Sequence, residues 1–262
     1  MKTVKNAVVA VFLLIPILLM VLLSLFSYYR YPVIFPRNFN WIYWETLFLR
    51  NQLFIQAIQE TLFVSTLTAL FSTLIGFTAA KALVDQRLKA KKFLMVLMSL
   101  PLFIPAIALF IGVHLILIRI NLANTYTGVI LAHVLISLPY TTSIGITFFK
   151  GIDPNYSKIA QTLGASQLRI ITKIVVPLLL PGLILSFSIG FLLSTSEYFS
   201  TFIIGGGRVI TLSTILYPYI ENSDDGNAAV ISIVFILFNI IVFIIADRLS
   251  RRLTKGRKYL YE

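Results

Sequence analysis

Six runs of mostly apolar residues leave this chain few ways to fold. They cover approximately Ala7–Tyr29, Phe54–Val84, Phe93–Ile118, Thr125–Phe149, Ile174–Ile204 and Ala228–Ala246, each 19 to 31 residues long. A helix needs about 20 apolar residues to cross a bilayer's hydrocarbon core. Inside lipid the backbone must satisfy its own polar groups, and a helix does so within one segment. The runs take up more than half of the 262 residues. What remains is too short to build a second core. The expected fold is therefore all-α: a single transmembrane domain over residues 1–262 with six membrane helices. With 58% hydrophobic and 12% charged residues, an ordinary soluble enzyme and a disordered chain are both excluded.

The first run follows Lys2 and Lys5, as in a secretory leader. It is longer than a leader's apolar stretch, and no small-residue cleavage site precedes Tyr28-Tyr29-Arg30. It reads as a retained span.

The net charge of +12 would suggest nucleic acid on a soluble protein. Here the charges sit in short clusters between apolar runs, which points to anionic headgroups and membrane orientation, with no nucleic-acid partner. If the N-terminus is placed in the cytoplasm, seventeen of the 22 Lys and Arg fall on the cytoplasmic side. Only Arg30, Arg37, Arg50, Arg119 and Arg208 fall outside. Six spans would then bring both termini to the cytoplasm. The outer loop over Tyr31–Asn51 carries Trp41, Tyr43 and Trp44, an interfacial aromatic belt. A second outer loop, Gly205–Asn227, holds a glycine triplet and the acidic residues Glu221, Asp224 and Asp225.

Energy-converting chemistry is missing from the chain. It has no phosphate loop of the G-x-x-x-x-G-K-[ST] kind, and Gly205-Gly206-Gly207 is followed by Arg208 on the outer side. There is no cysteine. His114 and His133 stand apart from carboxylates, so each reads as a histidine hydrogen-bonded between helices, with no metal site. No catalytic triad can be argued from spacing. If ATP drives this protein, ATP and Mg are bound on a partner chain.

One cytoplasmic loop, about residues 150–175, is unlike the others. Asp153 before Pro154 makes a strong helix start. Tyr156, Ile159, Ala160 and Leu163 then share a helical face. Gly164-Ala165-Ser166 interrupts, and Leu168, Ile171, Ile174 and Val175 resume the stripe. The pattern is helix, small-residue turn, helix. Its apolar stripe can lie at the lipid interface or dock in a groove on a partner.

This loop resembles the EAA signature of permease subunits of binding-protein-dependent ABC importers. Ala160, Gly164, Ile174 and Pro177 stand at the signature's spacings, with Val176 in place of its leucine. Ala165 belongs to a similar small-residue turn. Lys158 stands where that family has its glutamate, and Ile159 where it has its first alanine. Leu131-Ala132-His133, Leu138-Pro139-Tyr140 and Leu100-Pro101 through Pro105 are similar to spans of the same family. Ser194 through Phe199 is similar to its polyamine, ferric-iron, thiamine and phosphonate branch. The likeness covers about residues 53–247. It implies an inner-membrane permease that pairs with a second permease subunit, the same or different. Two ATPase subunits would lie beneath and a substrate-binding protein outside. The loop would be the coupling helix, with Asp153, Tyr156, Ala160, Leu163, Gly164, Ala165, Ile174 and Pro177 as its contact and shaping residues.

Among intramembrane polar residues Glu197 stands out, flanked by Ser194, Thr195, Ser196, Ser200 and Thr201. A carboxylate facing lipid would cost several kcal/mol, so Glu197 is expected to face protein or a watery path. Glu197, Ser194 and Ser196 are the candidate pathway or gate residues, and a structural hydrogen bond from Glu197 is the competing reading. Pro101, Pro105, Pro139, Pro177 and Pro181 are expected to bend their helices. The function expected is half of an importer's translocation pathway for a small polar or charged solute. An ion-driven secondary transporter and a non-transporting membrane scaffold are the alternatives.

Overall fold

The computed structural model describes residues 2–27, 38–85 and 89–254. Twelve α-helices occupy most of them. In chain order these are α1 (Lys2–Leu25), α2 (Ile42–Glu45), α3 (Gln52–Val84), α4 (Lys91–Ser99), α5 (Ala106–Arg119), α6 (Tyr126–Lys150), α7 (Pro154–Thr162), α8 (Gln167–Ile170), α9 (Val176–Ser196), α10 (Phe199–Gly205), α11 (Leu212–Glu221) and α12 (Asp225–Thr254). A two-residue ladder, β1 (Phe26–Ser27) against β2 (Asn38–Phe39), is the one pair of strands among the described residues.

Four helical segments are long and apolar enough to cross a membrane: α3, α6, the stretch Gln167–Ser196, and α12. The expected run Phe93–Ile118 is not one straight span. It forms Lys91–Leu102 and Ala106–Arg119, bent by 108°. Pro101 and Pro105 flank the bend, and proline both withholds an N–H and clashes with the preceding turn. The expected run Ile174–Ile204 is also divided. α9 ends at Ser196, Glu197 is extended (φ −81°, ψ 105°), and α10 starts at Phe199. The first expected run is helical over Lys2–Leu25, with Leu14–Leu25 as its described apolar part, and Tyr28 and Tyr29 lie outside the described residues. The outer loop expected over Gly205–Asn227 contains the ordered helix α11.

The chain divides into two compact units. One unites residues up to Thr61 with Ile210–Phe238. Its core holds Leu47, Phe54, Ala57, Leu212, Val230 and Ile231. Trp44 stacks on Phe48 with ring centroids 5.9 Å apart, and Phe48 meets Phe54 edge-on at 5.0 Å. Two side chains of α3 fix the start of α11. The Ile210 N–H donates to Glu60 Oε2 at 2.7 Å, and the Leu212 N–H donates to Thr61 Oγ1 at 2.8 Å. Glu60 is buried, and its carboxylate serves the start of α11.

The other unit unites Leu62–Val209 with residues from Asn239 onward. Its core packs Val64 of α3, Phe110 and Leu117 of α5, Val129 and Ala132 of α6, and Ile204 of α10. Small residues let the helices approach closely, as is usual where lipid supplies no hydrophobic drive for association. A Cβ on Gly145 would lie 2.7 Å from the Ala80 Cβ, and one on Gly190 would lie 2.8 Å from Ser72 Oγ. Hydroxyls tie the helices across these contacts. Thr141 Oγ1 donates to the Ser72 carbonyl at 2.9 Å, and Thr195 Oγ1 meets Asn239 Oδ1 at 3.2 Å.

Candidate functional site

The loop after α6 folds as helix, turn and helix. Asp153 caps α7, its Oδ1 accepting from the Asn155 N–H at 2.9 Å. At the far end the Ala165 N–H donates to the Ala160 carbonyl and the Gly164 N–H to the Gln161 carbonyl, both at 2.9 Å. Gly164 closes this turn with φ +79°, and nothing lies within 4 Å of where its Cβ would be. A left-handed C-terminal residue is the usual device for ending a helix, and glycine adopts it without steric cost. Ser166 then caps α8, accepting from the Arg169 N–H at 3.4 Å. A π-turn over Ile171–Val175 leads into α9.

The apolar stripe of this loop is outward. Leu163 is 81% exposed, Leu168 73% and Ile159 57%. Tyr156 is partly exposed, whereas Ile174 and Pro177 are half-buried where the loop joins α9. The expected set therefore separates by position. Asp153, Ala160, Gly164 and Ala165 shape the turn, Tyr156 and Leu163 present surface, and Ile174 and Pro177 seat the following helix.

The pathway candidates lie at the other end of α9. Its 21 residues put the two ends about 30 Å apart at 1.5 Å per residue. Here α9 breaks, and Glu197 turns its side chain onto the next helix. The Ser200 N–H donates to Glu197 Oε1 at 3.1 Å, satisfying one of the open donors at the start of α10. Ser194 is buried and meets His133 Nδ1 at 2.8 Å. The other ring nitrogen of His133, Nε2, meets Thr201 Oγ1 at 2.9 Å. A hydroxyl can donate or accept, so both nitrogens are satisfied whichever tautomer is present. Ser196 does not join this cluster; it is exposed, and its Oγ donates to the Leu192 carbonyl at 2.8 Å.

His133 is thus the residue of this site that the sequence alone leaves out. Its isolation in the sequence suggested a hydrogen-bonded packing histidine, and it is one. What spacing could not reveal is that its partners lie on both sides of the α9–α10 break. The available signal was the hydroxyl cluster from Ser194 to Thr201, which had to meet some buried polar group.

The family described as binding-protein-dependent transport system inner membrane component matches residues 72–255. The spermidine/putrescine transport system permease protein PotC of Escherichia coli strain K12 is 24% identical over 249 residues, covering 94% of this chain and 92% of that protein. The sulfate transport system permease protein CysT of Salmonella typhimurium strain LT2 is 24% identical over 225 residues, covering 80% of each. In fold, a chain of a bacterial ABC transporter involved in the import of the acidic polysaccharide alginate has a TM-score of 0.73 at 17% identity, over 94% of both chains. A chain of the inward-facing MetNI methionine ABC transporter has a TM-score of 0.63 at 18% identity, covering 77% of this chain and 96% of that one. The match over residues 72–255 and the end-to-end likeness to PotC establish that this chain belongs to the family of binding-protein-dependent transport system inner membrane components, the multi-pass inner-membrane permeases of ABC importers.

Proposed function

We propose that this chain forms half of the translocation pathway of an ATP-driven importer and that its α7–α8 loop docks a separate ATPase. The observation that carries this is the outward stripe of Ile159, Leu163 and Leu168 around a left-handed turn at Gly164. Ile159 and Leu163 lie on a short helix outside the candidate spans and Leu168 at the start of one, and such a stripe fits a groove on a partner. The pathway is completed by a second permease subunit, a second copy or a different chain. Two ATPases bind ATP and Mg on the cytoplasmic side, and a binding protein delivers substrate outside.

The geometry suggests how force would travel. Leu168 lies within Gln167–Ser196, and Leu163 joins it through the Gly164 turn, so a push on the stripe would act at the start of one helical lever. The far end of that lever is the Ser194–Glu197 break, held to α6 by His133. Rigid-body rocking of such a lever is an established way for transporters to alternate access.

For substrate we favour a small organic cation of the polyamine kind. The end-to-end likeness to a spermidine/putrescine permease supports it, and so does a carboxylate at the break. Ferric iron, thiamine and phosphonate are the other solutes of the branch the sequence resembles. The deciding experiment reconstitutes the chain with its ATPase, partner permease and binding protein in proteoliposomes. ATP-dependent uptake of spermidine, lost in Leu163→Asp together with ATPase association, is the expected result. Uptake that survives without the ATPase and disappears with an uncoupler would assign an ion-driven transporter instead.

A further inference from the structure

Three helices of the larger unit leave a groove between them. α3 contributes Leu70 and Leu74, α9 contributes Leu183 and Phe187, and α12 contributes Val242 and Leu249 to a cavity of about 560 Å³. Its lining is apolar apart from Thr73, and it lies within three helices that are long and apolar enough to span the bilayer. Thr73 brings the lining's one hydroxyl, which has no hydrogen-bond partner among the described residues, and the rest of the lining suits a hydrocarbon chain.

The charges at one end of the groove decide what fills it. Along α12 the lining positions are Val242, Ile245, Ala246 and Leu249; Arg252 follows Leu249 by three residues, and Arg248 follows Ile245 by three at the edge of that face. Along α3 the face through Leu70 and Leu74 continues two turns later to Lys81, about 10 Å further at 1.5 Å per residue. All three cations are exposed, and none forms an ion pair among the described residues. Arg251 is different, because its Nε is 2.8 Å from Asp247 Oδ2. Asp247 lines an adjoining cleft with Pro181, Leu185 and Ser188, where Ile184 and Ala246 border both cavities. Asp85, just past the end of α3, lies four residues beyond Lys81.

We propose that this groove is a binding site for an anionic phospholipid, with an acyl chain between α3, α9 and α12 and its phosphate among Lys81, Arg248 and Arg252. The apolar lining takes the chain, as bilayer hydrocarbon fills any dry cleft open to it. The three cations add selectivity for negative headgroups, each contributing on the order of a fivefold preference near an anionic surface. Under the orientation given by the positive-inside bias, the site belongs to the cytoplasmic leaflet. The α9 lever forms one wall, so the bound lipid would brace the helix that links loop and break.

The test uses the full chain, purified in detergent and delipidated. Phosphatidylglycerol and phosphatidylcholine with identical acyl chains are titrated and read by native mass spectrometry. The expected result is retention of phosphatidylglycerol roughly tenfold or more above phosphatidylcholine. Lys81→Gln/Arg248→Gln/Arg252→Gln should bring that ratio close to one, whereas Arg119→Gln should leave it unchanged. Ile245→Trp, which fills the groove, should reduce retention of both lipids. Equal retention of the two lipids by the unsubstituted chain, or a preference that survives the triple substitution, overturns the proposal. A photoreactive residue at position 245 in native membranes separates the occupants: a lipid adduct supports it, and a polypeptide adduct shows a helix in the groove and overturns it. Neither readout requires transport, so failure here leaves the importer reading untouched.

Discussion

The Glu197 carboxylate accepts a hydrogen bond from the Ser200 N–H, 3.1 Å away, across the two residues where α9 gives way to α10. One acid at the end of a candidate span therefore serves the backbone it interrupts. An extended residue in a membrane helix exposes donors and acceptors that lipid cannot satisfy. Glu197 supplies an acceptor for one donor, and its own carbonyl accepts from Thr201 Oγ1 at 3.1 Å. The break is built into the sequence and is held by it.

Capping and pathway lining make different demands on Glu197, and two substitutions separate them. Glu197→Gln retains an acceptor oxygen for Ser200 but loses the charge. Glu197→Ala loses both, at a capping cost of about 0.5–2 kcal/mol. If the charge faces the pathway, Glu197→Gln assembles normally and changes the uptake kinetics of a cationic solute. If Glu197 only caps, Glu197→Gln transports like the unsubstituted protein and Glu197→Ala alone lowers the melting temperature in detergent.

His133 is expected to matter more to stability than its single position in α6 suggests. It is almost fully buried, and both its ring nitrogens have partners, on α9 and α10 respectively. His133→Ala leaves the hydroxyls of Ser194 and Thr201 without it and opens a cavity. The combined loss should be about 2–4 kcal/mol. Thermal unfolding of the purified chain measures it, and limited proteolysis near residues 197–199 should accelerate in parallel. An unchanged melting temperature would mean that α9 and α10 are held together without the histidine.

A helix long enough to span a membrane is written in composition, and α3 and α6 begin and end within about two residues of the expected Phe54–Val84 and Thr125–Phe149. Breaks inside apolar sequence are written in only a few residues. Pro101 and Pro105 signalled a bend, but not that it would reach 108° and divide the run into α4 and α5. Ser194 through Glu197 signalled polarity, yet the run to Ile204 still read as continuous, because hydropathy averages over the break. The turn at Gly164 was legible, since small residues between two amphipathic stripes have one simple explanation. The partners of His133 were not, because they depend on how α6 packs against residues 61 and 68 positions away. α11 was hidden by the glycines and acids on either side of it.

The start of α11 offers a local test of the smaller unit. Among the described residues, the Ile210 and Leu212 N–H groups are satisfied by side chains of α3, Glu60 and Thr61. Glu60→Ala should strand the Ile210 donor, at a cost of about 1–3 kcal/mol. Thr61→Val keeps the shape and should do the same to Leu212. Hydrogen exchange resolved to single amides is the measurement: exchange at 210 should rise in the first variant and at 212 in the second. If both rise equally in both variants, the segment unfolds as a unit and the two bonds are not separable.

Orientation can be checked directly, because the chain has no cysteine of its own. Seventeen of the 22 basic residues fall on one side of the proposed topology, which predicts that side to be cytoplasmic. A cysteine at Ser223, just after α11, should react with a membrane-impermeant maleimide in intact cells. A cysteine at Lys255 should react only after permeabilisation. The reverse pattern would place the α7–α8 loop outside, where no ATPase could reach it.

The loop itself gives the sharpest prediction, since shape and surface can be changed separately. Gly164 sits at φ +79°, where an ordinary side chain costs about 1–2 kcal/mol, although the space around its Cβ is empty. Gly164→Ala therefore strains the turn without blocking anything, and Gly164→Trp adds bulk to the same strain. Leu163→Asp leaves the turn alone and places a charge on a side chain that is 81% exposed. None of the three lies in a membrane span, so insertion and the melting temperature of the bundle should be nearly unchanged. If the stripe docks an ATPase, Leu163→Asp and Gly164→Trp should each weaken the complex by about 2–4 kcal/mol, the range of interface hot spots, or roughly 30- to 1,000-fold in affinity. Gly164→Ala should fall between these and the unsubstituted chain. Pull-down of the ATPase and ATP-driven uptake in proteoliposomes read the two consequences. Should all three variants bind and transport normally, the exposed stripe serves the lipid interface and the lever begins elsewhere in the chain.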